Sequence, residues 1–393
     1  MSKNKQGIKV LIAGSVLQLF LGIIYVWSVF VKPISDAYSW NIDNVKLMSS
    51  FMLCFFVVGI LIGGKLQPKI GSNITVLGGG LMLSIGMLAS SFITANTTWL
   101  MYFTYGILGG FGVGAAYNSI ISSAQKWFPK NRGLATGVSV CAFGFSTVIF
   151  APLIEQLIAK FEVVNTFRLL AAAFFVIVIA FFSFIKTPDD AAATGASADL
   201  LKKQQYTMTQ ALKTKEFYLI TASMLLLTAT FFILNPSLKS IAEDKGIAAS
   251  TVIVMVTGIA SAIGRLVVPV ISDKIGRENT AFSIIAATAV CAVSLCFVSG
   301  YLFALPIAVI AFCYGGSSGI YPVITADYFG IKNVGSNYGA VMVGFALSAL
   351  LFPIFMKNIV DTNTKFIVLA SFAALGAVSM LILKLAKKKR VEV

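Results

Sequence analysis

Residues 248–275 read AASTVIVMVTGIASAIGRLVVPVISDKI, and one side chain in them, that of Arg265, governs how the rest of the chain is understood. The stretch is apolar and long enough to cross a bilayer, since about 20 residues at 1.5 Å each span the hydrocarbon core. Asp273, where the span should meet water, comes eight residues after Arg265. The guanidinium is thus about two helical turns from that surface, too deep to snorkel out easily. An arginine near a helix centre costs roughly 2.5–3.5 kcal/mol on insertion scales. A water-filled cavity, a paired acid or an anionic ligand has to offset that cost. Thr257 and Ser261 precede Arg265 by eight and four residues and so share its helical face. That face is expected to wall a polar pocket; the alternative is an arginine paired with a carboxylate or with backbone carbonyls between helices.

The rest of the composition places this stretch in a polytopic membrane protein. Of the 393 residues 58% are hydrophobic and 11% charged, with a mean hydropathy of +0.90, against roughly 25% charged in soluble proteins. The net charge of +15 would suggest nucleic acid in a soluble chain, but here the basic residues lie in loops between apolar runs and report orientation. No nucleic-acid partner is expected. There is no histidine, hence no imidazole ligand or proton shuttle. The five cysteines fall in apolar runs without metal-type spacing, apart from the loose pair Cys291 and Cys296, and read as small core residues. No metal or other cofactor is expected. The N-terminal MSKNKQGIKV leads into a span too long for a signal-peptide core, so the first helix is expected to be retained.

Apolar segments recur near 8–30, 45–66, 73–94, 98–125, 133–159, 165–186, 216–240, 248–273, 279–299, 302–326, 334–359 and 363–385. In a bilayer they must be helices, because an open strand would leave backbone groups unpaired. On alternate sides of these twelve spans, 21 Lys and Arg fall with the N-terminus and 8 opposite, Arg265 alone being left of the 30. Both termini are therefore expected in the cytoplasm of a multi-pass protein of the cell inner membrane. The polar interval 187–215 divides the chain into six-helix halves, 1–186 and 216–393, and the basic tail KLAKKKRVEV reads as an anchor to anionic lipid. The halves are related. WFPKNRGLATG at 127–137 is echoed by YFGIKNVGSNYG at 328–339, with Phe128 and Phe329 201 apart, as are Pro152 and Pro353; KIGSN at 69–73 is echoed by KIGREN, with Gly71 and Gly276 205 apart. A six-plus-six repeat of this kind predicts a substrate site near the midplane, where the halves meet.

Asp273-Lys274-Ile275-Gly276-Arg277 matches the pattern D-[RK]-x-G-R found between the second and third helices of each half in the major facilitator superfamily. Glycine permits the tight turn, and the charged residues can pair with neighbouring helix ends in one conformation and release in another. The first half keeps Gly71 but has Pro68 where the Asp would stand, so an Asp-based latch there is left open. Gly106, Gly110 and Gly114 form a stripe that reads as close helix packing, with a gliding surface the alternative. Tyr117 and Asn118 follow it. Gln18, Gly22 and Tyr25 make a polar stripe in the first span, and Tyr314, Ser317 or Ser318, Tyr321 and Thr325 another in the tenth. Tyr25, Tyr117 and Tyr321 lie within spans and are expected to face the cavity, whereas Tyr38, Trp40, Trp99, Trp127 and Tyr328 suit interfacial belts. Glu155 and Lys357 stand too near the outer ends to carry protons at mid-membrane, and Arg265 has Ser261 and Pro269 rather than an acid at four residues either side. One positive charge predicts a small monoanion, held by a bidentate guanidinium–carboxylate pair.

In GIIYVWSVF (22–30), RGLATGVSVCAFGFSTVIFAPL (132–153), IGRLVVPVISDKIGR (263–277) and NYGAVMVG (337–344) the chain resembles major facilitator transporters of the oxalate/formate antiporter family, relatives of the monocarboxylate transporters. The resemblance implies an all-α fold of twelve transmembrane helices in two six-helix pseudo-repeats. It also implies that Arg265 grips a small carboxylate in a cavity lined by Tyr25, Tyr117 and Tyr321. Members that exchange oxalate carry a lysine in the eleventh helix, where this chain has Phe345, and proton-coupled relatives carry an Asp where Ser261 stands. Lactate, pyruvate or formate is therefore expected ahead of oxalate, with exchange and proton-linked symport both open. Substrate contacts are expected from Arg265, Tyr25, Tyr117, Tyr321, Asn118, Ser261 and Gln18, and gating from Asp273, Lys274, Gly276, Arg277 and Gly71. The chain is expected to work as a monomer in lipid, by alternating access. A multidrug exporter would need a membrane-embedded acid, a sensor an effector domain, and an enzyme a nucleophile or acid–base constellation, and the sequence offers none of these.

Overall fold

The computed structural model of the protein describes residues 3–188, 204–247, 250–356, 359 and 361–391. Lys357, most of the interval between the halves, and the side chains of Pro353 and of the basic tail at 387–390 lie outside the described residues.

Among the described residues the regular structure is helical throughout, as the lipid argument requires. The first span comprises α1 (Lys3–Leu21), a 3₁₀ segment (Gly22–Val26) and α2 (Trp27–Tyr38). Then come α3 (Ile42–Ile70), begun by Asn41 accepting from the Asp43 N–H, and α4 (Ser72–Ser90). The fourth span runs through α5 (Thr98–Met101), a π-helical stretch (Tyr102–Gly109) and α6 (Gly110–Trp127). The fifth and sixth follow as α7 (Arg132–Phe181), turned at Glu162, whose φ of 64° and ψ of 171° are not helical. A single turn, α8 (Met208–Ala211), closed by a Thr207–Gln210 capping box, precedes the second half. That half consists of α9 (Lys215–Asp244), α10 (Ser250–Ile275), α11 (Arg277–Ser294), α12 (Ala304–Phe329), α13 (Val334–Met356) and α14 (Thr362–Val391). All twelve predicted spans are thus helical.

By contact the chain forms two compact units. The first comprises Met1–Lys130, Val138–Gln205 and Gly330–Ala340, and the second Asn131–Gly137, Tyr206–Phe329 and Val341–Val393. Each contains a helix crossing so tight that only glycine fits it. In the first unit α3 meets α6, and a Cβ on Gly59, Gly110 or Gly114 would collide with the backbone carbonyl of Phe111, Met52 or Phe56. In the second, α10 meets α12, with Gly264 against the Phe312 carbonyl and Gly315 against that of Ser261. The glycine stripe therefore packs. Lipid supplies no hydrophobic drive between helices, so small residues that let backbones touch are what make such crossings stick. The crossings repeat in register: Gly59 and Gly264 are 205 apart, Phe111 and Phe312 201 apart. Gly71 and Gly276 adopt the same positive φ of 92°, a left-handed turn that favours glycine, at the start of α4 and α11.

Candidate functional site

In the first unit the tightening of the first span at Gly22–Val26 has a packing cause. Gly22 lies so close to the Phe143 carbonyl that no Cβ fits. The same segment presents Tyr25, half-buried, edge-on to the Phe143 ring at 5.4 Å. Tyr117 packs on Phe143 at 4.8 Å and on Phe56 at 5.3 Å. Gln18 is fully buried and donates from Nε2 to the Tyr117 carbonyl, 3.2 Å. Tyr25 and Tyr117 therefore meet around Phe143, a residue outside the polar stripes, with Gln18 held on the Tyr117 backbone. Asn118 is employed elsewhere: its Nδ2 donates to the carbonyls of Ile60 (2.9 Å) and Gly335 (2.7 Å), binding α3 and the start of α13 together.

In the second unit Arg265, Ser261 and Thr257 are all buried, Arg265 to 5% exposure. Tyr321 is buried too, and its hydroxyl donates to Ser223 Oγ at 2.9 Å. Tyr314 stacks on Phe231, with ring centroids 3.8 Å apart, and meets Phe232 edge-on. Phe345 lies against Phe232 at 5.0 Å. Phe345, at the position where a second cation would stand, thus belongs to an aromatic group with Phe231, Phe232 and Tyr314.

The turn residues form an ionic network within the second unit. The Asp273 carboxylate accepts from the N–H groups of Gly133 (3.1 Å) and Leu134 (3.0 Å), capping the start of α7, and pairs with Arg277. Arg277 also donates to Ser272 Oγ (2.5 Å) and reaches Asp327 (3.2 Å), which in turn pairs with Arg132. Lys274 is exposed and takes no part in these bonds. Arg132 and Asp327, which complete the network, were absent from the expected gating set; only the 201-residue offset, which sets Asp327 opposite Lys126, could have drawn attention to them. The Gly71 turn of the first unit has a neutral arrangement instead. Gln67 Nε2 donates to Ser72 Oγ at 2.8 Å, Ser122 donates to Gln67 Oε1 at 2.6 Å, and Ser336 donates to the Gly64 carbonyl at 2.6 Å.

The family model described as Major Facilitator Superfamily matches residues 12–353. The chain belongs to the Major Facilitator Superfamily. Its fold is that of FucP, a Major Facilitator Superfamily transporter solved in the outward conformation, at a TM-score of 0.73 and 12% identity over 96% of this chain and 99% of that one. Among relatives of known activity, it is 24% identical to the oxalate:formate antiporter of Oxalobacter formigenes, over 81% of this chain and 76% of that protein. It is likewise 24% identical to apicoplast pyruvate carrier 1 of Toxoplasma gondii, over 78% of this chain and 68% of the relative. A Major Facilitator Superfamily chain with these apolar helices is a multi-pass membrane transporter and not an enzyme.

Proposed function

We propose that this transporter moves small monocarboxylate anions of the lactate, pyruvate or formate type. It works by alternating access, as an exchanger or a proton-linked symporter, in the cell inner membrane with both termini cytoplasmic. The observation that carries the proposal is a guanidinium, Arg265, buried inside a membrane helix with Ser261 and Thr257 on its own face. A carboxylate bound there forms two parallel charge-assisted hydrogen bonds and neutralises the arginine. Neutralisation also bears on turnover. A substrate anion beside the arginine lowers the cost of carrying that charge through a low-dielectric intermediate, which favours exchange over empty turnover. Tyr25, Tyr117, Gln18 and Ser261 are assigned to the same substrate and the Asp273–Arg277 turn to gating, whereas the Asn118 amide is taken up by the Ile60 and Gly335 carbonyls and the Tyr321 hydroxyl by Ser223. Phe345 argues for a singly charged substrate, since a lysine there would have served a dicarboxylate; the relationship to the oxalate:formate antiporter keeps oxalate/formate-type exchange as the second reading. A multidrug exporter has less support still.

The test is counterflow in proteoliposomes against C1 to C4 carboxylates, with and without a pH gradient. Arg265→Gln should abolish uptake while leaving the purified protein folded. Uptake retained in that variant refutes the assignment.

A further inference from the structure

The fourth span changes pitch within itself. From Gly110 onward it is an α-helix clamped on α3, where a Cβ on Gly110 or Gly114 would collide with the Met52 or Phe56 carbonyl. Between Tyr102 and Gly109 it is a π-helix, and a Cβ on Gly106 or Gly109 there would have its nearest neighbour at 3.2 or 3.7 Å. The inner part is locked and the π stretch is not. A π-helix closes its hydrogen bonds over five residues instead of four, so it winds one residue more into the same angular sweep. That surplus can be passed along toward the single turn α5, and every residue it passes then moves one place, about 100°, round the axis.

The present register leaves hydrogen bonds mismatched at this point. Tyr105 is fully buried, its ring stacked on Trp27 at 4.2 Å and its hydroxyl without a partner among the described residues. One place away, Ser90 Oγ lies 2.8 Å from the Gly86 carbonyl and Thr104 Oγ1 2.9 Å from the Leu100 carbonyl, while the two hydroxyls lie 2.8 Å from each other. Two hydroxyls carry two hydrogens and cannot fill three contacts. Shifting the stretch by one place sets Tyr105 where Thr104 now stands. The phenol then donates to Ser90, Ser90 donates to Gly86, and every hydrogen has an acceptor. Thr104 keeps its bond to Leu100, which lies within its own span. Gly86 admits the change, because it brings no side chain against the passing backbone: it faces the Thr104 carbonyl, and the Tyr105 carbonyl fits there equally.

We propose that the fourth span is a two-register element. In one register Tyr105 stacks on Trp27; in the other it donates to Ser90, and Gly106 takes its place beside Trp27. Trp27 stays where it is, since its Nε1 donates to the Val45 carbonyl at 2.8 Å, so the exchange takes a ring away from its face. The register seen here is held by the exposed bond from the Tyr102 hydroxyl to the Asn44 carbonyl, 2.7 Å, which the exchange breaks. Trp27 follows directly on the 3₁₀ segment Gly22–Val26 that presents Tyr25. The exchange therefore alters the packing of the part of the first span assigned to substrate. That last consequence rests on the transport reading, and the register exchange itself does not.

The test oxidises the full chain in detergent, without any carboxylate, using copper phenanthroline, and maps the disulfides by mass spectrometry with the native cysteines in place. Ser90→Cys with Thr104→Cys reports the present register, Ser90→Cys with Tyr105→Cys the other, and Ser90→Cys with Gly106→Cys controls for fraying. The first two pairs should cross-link and the third should not. Adding Tyr102→Phe should speed the second pair about fivefold, the equilibrium equivalent of one hydrogen bond given up by the present register. Tyr105→Phe deletes only an unpartnered hydroxyl and should not lower Tm. Absence of cross-linking in either of the first two pairs, equal cross-linking of all three, no response to Tyr102→Phe, or a fall in Tm for Tyr105→Phe overturns the proposal. Because no carboxylate is present, failure of the substrate assignment leaves these results as they are.

Discussion

Changing Asp327 to Asn leaves Arg132 with no ionic partner among the described residues. Arg132 reaches Asp327 through Nη2 alone, and its Nε and Nη1 have no hydrogen-bond partner there. The arginine side chains of Arg132 and Arg277 are 8% and 10% exposed and that of Asp327 20%. Removing one partner of a buried ion pair typically costs about 3–5 kcal/mol, because the remaining charge is left desolvated. Two features lower the figure here: Asp327 is partly wet, and Arg277 keeps Asp273. A loss of about 2–3 kcal/mol is the working value. An unfolding entropy of about 2.1 cal/mol/K per residue amounts to roughly 0.8 kcal/mol/K for a chain of 393 residues, so Tm should fall by about 3 °C. Tryptophan fluorescence of the purified protein during a thermal ramp reads this directly. Arg132→Gln and the double variant complete a cycle in which the double change should cost at least ~1 kcal/mol less than the two singles together. A Tm within about 0.5 °C of the parent for Asp327→Asn, or strictly additive changes, would show that the network holds nothing, and the reasoning from burial and pairing would fall.

Three further outcomes are expected. Phe345→Lys places a second cation beside the aromatic group of Phe232 and should raise oxalate counterflow relative to formate; an unchanged ratio removes Phe345 as the selector. Tyr321→Phe deletes the bond to Ser223, which keeps its own bond to the Ile220 carbonyl, so a stability loss of about 1 kcal/mol is expected. Uptake should suffer far less than in Arg265→Gln, and equal loss would assign the Tyr321 hydroxyl to substrate. Gly315→Val drives a side chain into the Ser261 carbonyl and should destabilise by about 3 kcal/mol or more, or prevent folding, whereas Gly78→Ala, with open space around it, should express and melt like the parent.

Much of the architecture could be read from the chain in order. Every predicted span proved helical, and the turn glycines at 71 and 276 took the same left-handed conformation. Details within spans were less legible. The fourth span hides a π-helical stretch at Tyr102–Gly109, where Tyr105, stacked on Trp27 at 4.2 Å, keeps a buried hydroxyl without a partner among the described residues. No pattern of hydropathy announces a change of helical pitch, since the apolar content is the same either way. Asn118 looked like a cavity residue because it is polar and deep, yet its amide serves two backbone carbonyls, one of them 217 residues away.

Local chemistry was enough to place twelve helices, their repeat and a deep arginine at 265, because the bilayer judges each segment separately: a run of some twenty apolar residues inserts, folds its own hydrogen bonds and leaves its loops in water, whatever the other segments do. Which helix ends meet is a different matter. That Arg132 finds Asp327 and that Asp273 caps α7 depend on residues 195 and 140 positions apart being brought together. Only the packed chain decides those pairings, since the energy of a charge or a polar group in a low-dielectric surrounding is set by its neighbours in space and not by its neighbours in sequence.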